Sequence, residues 1–404
     1  MTVRAITPRS RGFLFLDSHP DGCRRLVEDM WAAVPPSRLS PAPGRRPVAL
    51  VIGSSAGYGL AATVAGLARH GIRGIGVCLE KGPTARRTAT AGWYRTAATA
   101  ELAAKAGRDM VFLNGDAFSH EMKRQVADVL RERFGGKLDY LVYSVAAPRR
   151  TDPDTDITYS SVLKPIGDAY RTKTLVFDAD GAPEVKDVET QPAEGDDIEQ
   201  TVAVMGGADW EAWVDHLGGS GLLADGFATA ALSYIGSPLT AAIYREGTIG
   251  AAKAHLESTA RRLNDRLGDL VHGRAVTSVN GAAVTQSSTA IPGIALYVGL
   301  LRGHLGGGMV PPVGQLVSLW DQLTGSQPLT VDDAGRVRLD LWELDDDVQA
   351  EVAERWAAAT TDSIGDLADL PWFTAEVRRL YGFDVPGVDY SAPVETDVPW
   401  PTLT

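Results

Sequence analysis

The run Val48-Ala-Leu-Val-Ile52 leads directly into Gly53-Ser-Ser-Ala-Gly57-Tyr-Gly59. An unbroken apolar run of this length suits a strand buried on both faces, as in parallel sheets. Glycines at its end let the backbone turn tightly and approach an anion, while the N–H groups of a following helix face it. Leu60, Val64 and Leu67 then form a helical stripe over Leu60–His70, closed by Gly71. A strand over Gly74–Leu79, a helix over Ala97–Ala106, a strand at Met110–Leu113, a helix over His120–Phe134 and a strand over Leu138–Val145 continue the series. Strand–helix alternation implies βαβ units, so the predicted class is α/β with a Rossmann-type, doubly wound parallel sheet.

Other segments interrupt or extend this core. Ser37–Pro47, rich in Pro and Arg, reads as a connector. In Lys173–Thr190, two β-prone runs flank Asp178-Ala-Asp-Gly181, which predicts an inserted hairpin placed to cover a site. Beyond Ile198 the pattern reads as mainly helical, anchored by Trp210 and Trp213. Asp332-Asp-Ala-Gly335 reads as a turn between short strands, and Asp345–Ala358 as a helix with an acidic start. No clean boundary appears. The chain is read as one elaborated domain over 1–404: a nucleotide-binding core at 48–147, a catalytic part at 198–300 and a C-terminal extension of extra helices at 301–404.

Composition excludes several function classes. A net charge of −12 argues against a nucleic-acid partner and supplies no polybasic membrane patch. The N-terminal arginines precede no apolar signal core, and the longest apolar run, Ala290–Leu301, contains Pro292 and is too short to span a bilayer. Cys23 and Cys78 form no CxxC and no metal spacing. The seven histidines form no paired-ligand motif, so no metal is expected. These features describe a cytoplasmic protein in a reducing compartment.

The glycine turn Gly53–Gly59 has GxxxGxG spacing, and its strand–helix context favours a dinucleotide over an empty turn. Glu80 follows the second strand, roughly twenty residues past the last glycine, where an acidic side chain accepts bonds from an adenosine ribose. A carboxylate there repels a 2′-phosphate, so the expected cofactor is NADH rather than NADPH. Asp116-Ala117 borders the adenine or serves as a helix N-cap. Ser144-Val-Ala-Ala147 offers small residues where a cofactor passes close.

Tyr244 is the one tyrosine with a lysine nine residues later, Lys253, in a chain of eight lysines. A hydride-transfer enzyme of the short-chain-dehydrogenase type needs a phenol to hold a substrate oxygen and an ammonium to orient the phenol and bond the ribose. The ammonium is expected to increase the acidity of the phenol. Nine residues is about 2.5 helical turns, so the pair would face apart on one straight helix. Gly247 and Gly250 instead suggest that Tyr244 lies on the approach to a helix that carries Lys253. Tyr234, in Ser233-Tyr-Ile-Gly236, is either a second hydroxyl facing substrate or a plain strand tyrosine. Read from residues alone, a carbonyl reductase and a non-catalytic NAD-binding protein stay open.

The segments SSAGYGLA, TATAGWY (Thr88–Tyr94), NGDAFS, LVYSVAAP, TVAVMGGADWEAW (Thr201–Trp213), SYIG with Tyr244-x8-Lys253, and VTQSSTAIP (Val284–Pro292) together resemble the FabV-type trans-2-enoyl-CoA/enoyl-acyl-carrier-protein reductases. RGF…HPDGC, WELDDDVQAEV and GVDY match too, so the resemblance spans nearly the whole chain. It implies NADH-dependent reduction of an acyl thioester's trans-2 double bond, on CoA or carrier protein. The implied fold is an enlarged short-chain dehydrogenase, and the implied state a monomer. By position, Tyr244 resembles the proton donor, Lys253 the cofactor lysine and Tyr234 the substrate-contacting tyrosine. Gly53, Ser54, Ser55, Ala56, Gly57, Tyr58, Leu79, Glu80, Asp116, Ala117, Val145, Ala146, Ala282, Ala283, Val284 and Thr285 fall on the NAD-contacting stretches. Departures lie at Phe15–Ser18, Ser237–Ala242 and Gly303–Val313. Small side chains at Ala241 and Ala242 suggest room for a larger acyl group.

Overall fold

A computed structural model describes residues 3–36, 46–178 and 181–401. The predicted connector falls mostly outside this range, at 37–45, as do two residues of the hairpin turn, 179 and 180. Helix α1 (Pro20–Ala32) precedes β1 (Val48–Ile52), α2 (Gly57–Ala65), β2 (Arg73–Cys78), α3 (Ala91–Lys105), β3 (Met110–Asn114), α4 (His120–Phe134) and β4 (Leu138–Tyr143). The predicted hairpin follows, pairing Tyr170–Phe177 with Pro183–Thr190 in antiparallel register. Then come α5 (Asp197–Met205), α6 (Ala208–Gly219), β5 (Leu223–Ser233), α7 (Thr248–Val271) and β6 (Arg274–Val279). The chain ends through α8 (Ile294–Leu305), α9 (Pro312–Leu323), β7 (Arg336–Arg338), α10 (Asp346–Ala358), α11 (Ile364–Leu367) and α12 (Leu370–Arg379).

The seven strands β1–β7 form one sheet in the order β7-β6-β5-β4-β1-β2-β3. Every neighbouring pair is parallel. The chain winds outward from β1 to β3, returns to β4 beside β1, and winds the other way. That reversal opens a crevice at the carboxyl ends of β1 and β4, where ligands bind in open α/β sheets.

Successive side chains of a strand face opposite sides, so each strand feeds two cores. Val48, Leu50 and Ile52 join Val126, Leu130, Trp210, Trp213, Leu256 and Leu263 from α4, α6 and α7. Ala49 and Val51 join Leu60, Val64, Leu67, Leu316 and Trp320 on the other side. A third core wraps α8: Leu296, Tyr297 and Leu300 meet Val352, Phe373 and Val377 of the C-terminal helices.

Three elements differ from the sequence reading. The helix expected to run to His70 is α-helical only to Ala65 and finishes as a π turn over Gly66–His70. There a Cβ on Gly66 would lie 2.6 Å from Ile72 Cδ1. Helix α3 begins at Ala91 rather than Ala97. The region past Ile198 holds two sheet strands, β5 and β6, where a mainly helical pattern was expected. Their Ala, Thr and Ser residues give little β signal, and burial between helices decides their state.

Trp210 and Trp213 are fully buried anchors. Their indole N–H groups donate to Thr229 Oγ1 at 2.9 Å and to the Ala117 carbonyl at 3.1 Å. Beside them a buried ion pair joins α4 to α6, Lys123 Nζ donating to Asp209 Oδ1 at 2.7 Å. The other Asp209 oxygen accepts from Tyr143 at 2.9 Å. Removing one member leaves an uncompensated buried charge, which costs about 3–5 kcal/mol. Asp209→Ala is therefore expected to lower the denaturation midpoint strongly. Chemical denaturation followed by fluorescence checks this, and a midpoint within experimental scatter of the parent would contradict it.

Candidate active site

The glycine turn leaves β1 in a conformation that side chains resist. Gly53 has φ +86°, and a Cβ there would sit 2.0 Å from the Ser144 carbonyl oxygen at the end of β4. Gly57, at φ +52°, opens α2. Its N-cap Ala56 provides no side-chain acceptor, so the first N–H groups of the helix remain available to an anion. Ser54 Oγ donates to the Val77 carbonyl at 3.3 Å, which ties the turn to β2. These features fit a dinucleotide pyrophosphate.

Glu80 lies just past β2, next to the exposed Leu79. Its carboxylate accepts from Ser55 Oγ at 2.6 Å and from Thr90 Oγ1. It therefore bridges the glycine turn to the start of α3, where a Cβ on Gly92 would collide with it. A carboxylate has lone pairs beyond these two bonds, so a ribose fits there as well. Asp116 is not the cap of α4. Its Oδ1 accepts from the Phe118 N–H at 2.9 Å, and Ser119 caps the helix through Met122 N–H at 3.1 Å. The Ala117 carbonyl accepts from Lys123 and Trp213. Val145 is half-buried and Ala146 exposed, immediately beyond β4.

The loop after β6 closes over the glycine turn. The Tyr58 hydroxyl donates to the Gly281 carbonyl. Thr285 Cγ2 lies 3.6 Å from where a Gly57 Cβ would be. Ser288 Oγ accepts from Thr285 N–H at 2.8 Å and donates to the Ala283 carbonyl at 2.9 Å, which fixes the Ala282–Thr285 stretch with Val284 half-buried. The expected cofactor residues thus cluster at the carboxyl ends of β1, β2, β3, β4 and β6.

Tyr244 lies on the approach to α7, and Lys253 sits within that helix. Gly250 is what lets the two elements meet: a Cβ on it would lie 1.8 Å from the Arg245 carbonyl oxygen and 2.8 Å from that of Tyr244. The approach segment therefore folds back against the opening of the helix. Arg245 then grips Glu257 of the same helix at 2.8 and 3.3 Å. Glu257, one turn beyond Lys253, is occupied by Arg245 and by Arg336 at 3.5 Å. Among the described residues, neither the Lys253 ammonium nor the Tyr244 hydroxyl takes a protein hydrogen-bond partner, although both residues are buried. Buried polar groups without protein partners suit a polar ligand.

Burial pushes the Lys253 ammonium down to about 8, against the opposing charge of Glu257. Burial also pushes the Tyr244 phenol well above its ordinary value. The expectation that Lys253 would acidify this phenol is not met: desolvation is the cause of its shift. A phenol raised in this way keeps its proton at neutral pH.

Tyr234 follows β5, and its ring meets that of Tyr244 edge-on at 5.2 Å between centroids. Around Tyr244 stands an apolar wall of Ile243 and Ile249, with Leu163, Tyr170, Met205 and Ile291 against it. Tyr170 opens the hairpin, and its hydroxyl donates to the Leu239 carbonyl at 2.9 Å, so the first residue of the insertion reaches this wall. Residues 162–164 are stapled to the start of α7 by Thr248, whose Oγ1 donates to the Val162 carbonyl at 2.5 Å. Ala242 is exposed and Ala241 half-buried, and neither belongs to this wall. The sequence reading missed these wall residues, which are ordinary apolar positions scattered over five segments.

It also missed Glu343. This fully buried carboxylate accepts from Tyr234 at 2.9 Å, from Tyr297 at 2.8 Å and from the Ala282 N–H. The segment WELDDDVQAEV was noticed as a match, with no role for its acid.

Three family models cover this chain in succession. The model described as trans-2-enoyl-CoA reductase catalytic region matches residues 87–323. The NAD(P)H binding domain of trans-2-enoyl-CoA reductase matches 5–85. The enoyl reductase FAD binding domain matches 331–394. The chain belongs to the trans-2-enoyl-CoA reductase family. The enoyl-[acyl-carrier-protein] reductase [NADH] of Streptomyces avermitilis is 59% identical, covering 98% of this chain and 99% of that protein. The Flavobacterium johnsoniae protein of the same description is 43% identical, covering 96% of each. Among solved structures, Clostridium acetobutulicum trans-2-enoyl-CoA reductase in complex with NADH superposes with a TM-score of 0.89 at 36% identity, over 97% of this chain and 98% of that one. The Treponema denticola enzyme with NAD gives 0.88 at 37% identity, over 99% and 100%.

The flavin in one family description finds no fit in these residues. Segment 331–394 supplies β7 and α10–α12, with no glycine between β7 and α10 and hence no nucleotide turn. Its buried acids are taken: Asp340 pairs with Arg338 at 2.7 Å and Glu343 with three donors.

Glu80 gives the site a test of cofactor choice. Glu80→Ala is expected to raise the NADPH-to-NADH ratio of kcat/KM at least tenfold. Steady-state rates with both cofactors measure it, and an unchanged ratio would remove Glu80 from ribose recognition.

Proposed function

We propose that this chain reduces the trans-2 double bond of an enoyl thioester with NADH, using Tyr244 and Lys253 as its reacting-centre groups. Bound NADH supplies the hydride. The reaction adds that hydride to the β-carbon and a proton to the α-carbon, and negative charge develops meanwhile on the thioester oxygen. Tyr244 donates its hydroxyl to that oxygen. Desolvation keeps the phenol protonated, and a donor aimed at developing charge in a water-poor site is worth more than in bulk water. Lys253 holds the cofactor ribose and adds positive charge beside the reacting carbonyl. Tyr234 faces the thioester as a second hydroxyl, while Leu163, Met205, Ile249 and Ile291 shelter the acyl chain.

One observation supports this reading: a buried phenol and a buried ammonium, neither with a protein hydrogen-bond partner among the described residues, lie before and within α7, and Tyr244 interacts electrostatically with Tyr58 of the glycine turn. Gly53, Ser54, Ser55, Ala56, Gly57 and Tyr58 are proposed to cradle the pyrophosphate. Leu79, Glu80, Asp116 and Ala117 take the adenosine, and Val145, Ala146, Ala282, Ala283, Val284 and Thr285 the nicotinamide half. The relatives' descriptions name both acyl-carrier protein and CoA, so an enoyl thioester of either carrier is the substrate class. A monomer is the proposed working unit, as the resemblance implies. The sheet draws its last strand from Arg336–Arg338, which supports one domain over 1–404. No described helix is long and apolar enough to cross a membrane, which accords with the proposed cytoplasmic site.

Tyr244→Phe is expected to lose at least a hundredfold in kcat with crotonyl-CoA while NADH affinity, read by fluorescence titration, stays within threefold. Near-normal turnover would remove the mechanism, and turnover confined to ketones would favour a carbonyl reductase.

The lysine sets a pH limit. Its folded value is lowered, so the ammonium is present below about pH 8 and lost above it. kcat/KM for NADH is therefore expected to fall as pH rises through about 8, and Lys253→Arg is expected to push that limb upward. A limb that stays in place in the Arg variant would assign it to another group.

A further inference from the structure

Glu343 sits between the two halves of the site. One oxygen accepts from the Tyr234 hydroxyl at 2.9 Å and the Tyr297 hydroxyl at 2.8 Å. The other accepts from the Ala282 N–H, in the stretch assigned to the nicotinamide half. The carboxylate is wholly inaccessible. Gln349 fixes it from behind: its Nε2 donates to the Glu343 carbonyl at 2.7 Å and to Tyr297 Oη at 3.1 Å, and its Oε1 accepts from Ser237 Oγ at 2.6 Å. No cation pairs with Glu343 among the described residues, since Arg338 is turned to Asp340.

A buried carboxylate held only by neutral donors is costly, because desolvation of the ion is not repaid by a counter-charge. Hydrophobic packing would fill this place at less cost. We propose that Glu343 is a positioning residue for enoyl reduction, and that it sets which way the Tyr234 hydroxyl points. This rests on the reading of Tyr234 as a substrate-facing phenol. When Glu343 is ionised it accepts a hydrogen bond from the Tyr234 hydroxyl, and that phenol can offer substrate only lone pairs. When Glu343 is protonated it can donate to Tyr234, which frees the phenol to donate toward the thioester. The same change alters the bond to Ala282, so substrate and cofactor sides respond together.

The groups facing this carboxylate make the switch accessible near neutrality. Tyr234, Tyr297 and the Ala282 N–H favour the ion, whereas burial and the charge of Asp340 oppose it. Burial dominates and pushes Glu343 up to about 7. Tyr58, on α2, feels the same carboxylate and is itself pushed up mainly by burial.

The test compares pH profiles of kcat/KM for crotonyl-CoA at saturating NADH. The parent is expected to lose at least fivefold as pH rises through about 7, as Tyr234 turns to Glu343. Glu343→Gln, whose amide can donate to Tyr234 as the protonated acid does, is expected to abolish that inflection and to hold kcat/KM within about threefold of the parent's pH 6 value across the range, with NADH affinity changed less than fivefold. Tyr234→Phe is expected to abolish the inflection as well, and the double variant to lose no more than the worse single variant. An inflection that survives in Tyr234→Phe, or additive losses in the double variant, would overturn the coupling. Should Glu343→Gln fail to fold, the Tyr234→Phe profile alone decides. A fully active Tyr234→Phe would instead sink the substrate-facing role of Tyr234, which separates that failure from failure of the Glu343 assignment.

Discussion

The close approach of the Arg245 carbonyl to Gly250 is the constraint on which the proposed reacting centre depends. Any side chain at 250 would lie 1.8 Å from that oxygen. Without the contact, the segment that carries Tyr244 could not fold onto the opening of α7, and a phenol and an ammonium nine residues apart would diverge around the helix. The Arg245–Glu257 pair then serves two ends. It locks the folded-back segment and occupies Glu257, the carboxylate whose charge acts on Lys253, so the ammonium has no hydrogen-bonding partner among the described residues.

Electrostatics around that contact run through burial more than through pairing. Tyr244 and Tyr234 are both shifted upward first by desolvation, so each phenol keeps its proton at neutral pH. Lys253 is shifted downward by the same cause. A site of neutral donors and one weakened cation loses little solvation when an apolar acyl chain and a flat ring enter. It still offers hydrogen bonds where charge appears. The apolar wall from Leu163, Tyr170, Met205, Ile249 and Ile291 packs around Tyr244, with Tyr170 supplied by the hairpin.

Much of this was legible in the sequence, and the reasons are local. Val48–Ile52 with Gly53–Gly59 could hardly form anything but a buried strand and an anion-facing helix start. The whole sheet half from β1 to β4 followed from that pattern. Gly250 was visible as a sign that Tyr244 and Lys253 do not share one straight helix. Strands β5 and β6 were not visible, because runs such as Ala228-Thr-Ala-Ala-Leu232 are strands only when helices cover both faces. Glu343 was unreadable for a different reason. An acid beside three aspartates looks like a solvated helix start, and nothing short of the tertiary fold tells which of the four turns inward. The direction of the Tyr244 shift was misjudged because spacing says nothing about desolvation.

The bond from Tyr234 to Glu343 joins residues 109 apart in the chain. During synthesis the phenol leaves the ribosome first, and at about 5–20 residues per second its partner follows roughly 5–20 s later. During that interval α9 and the final strand, which complete the sheet and one of its cores, are also still to be made. Competence therefore arrives late, as a property of the finished polypeptide. A product terminated before residue 343 would lack the anchor for Tyr234.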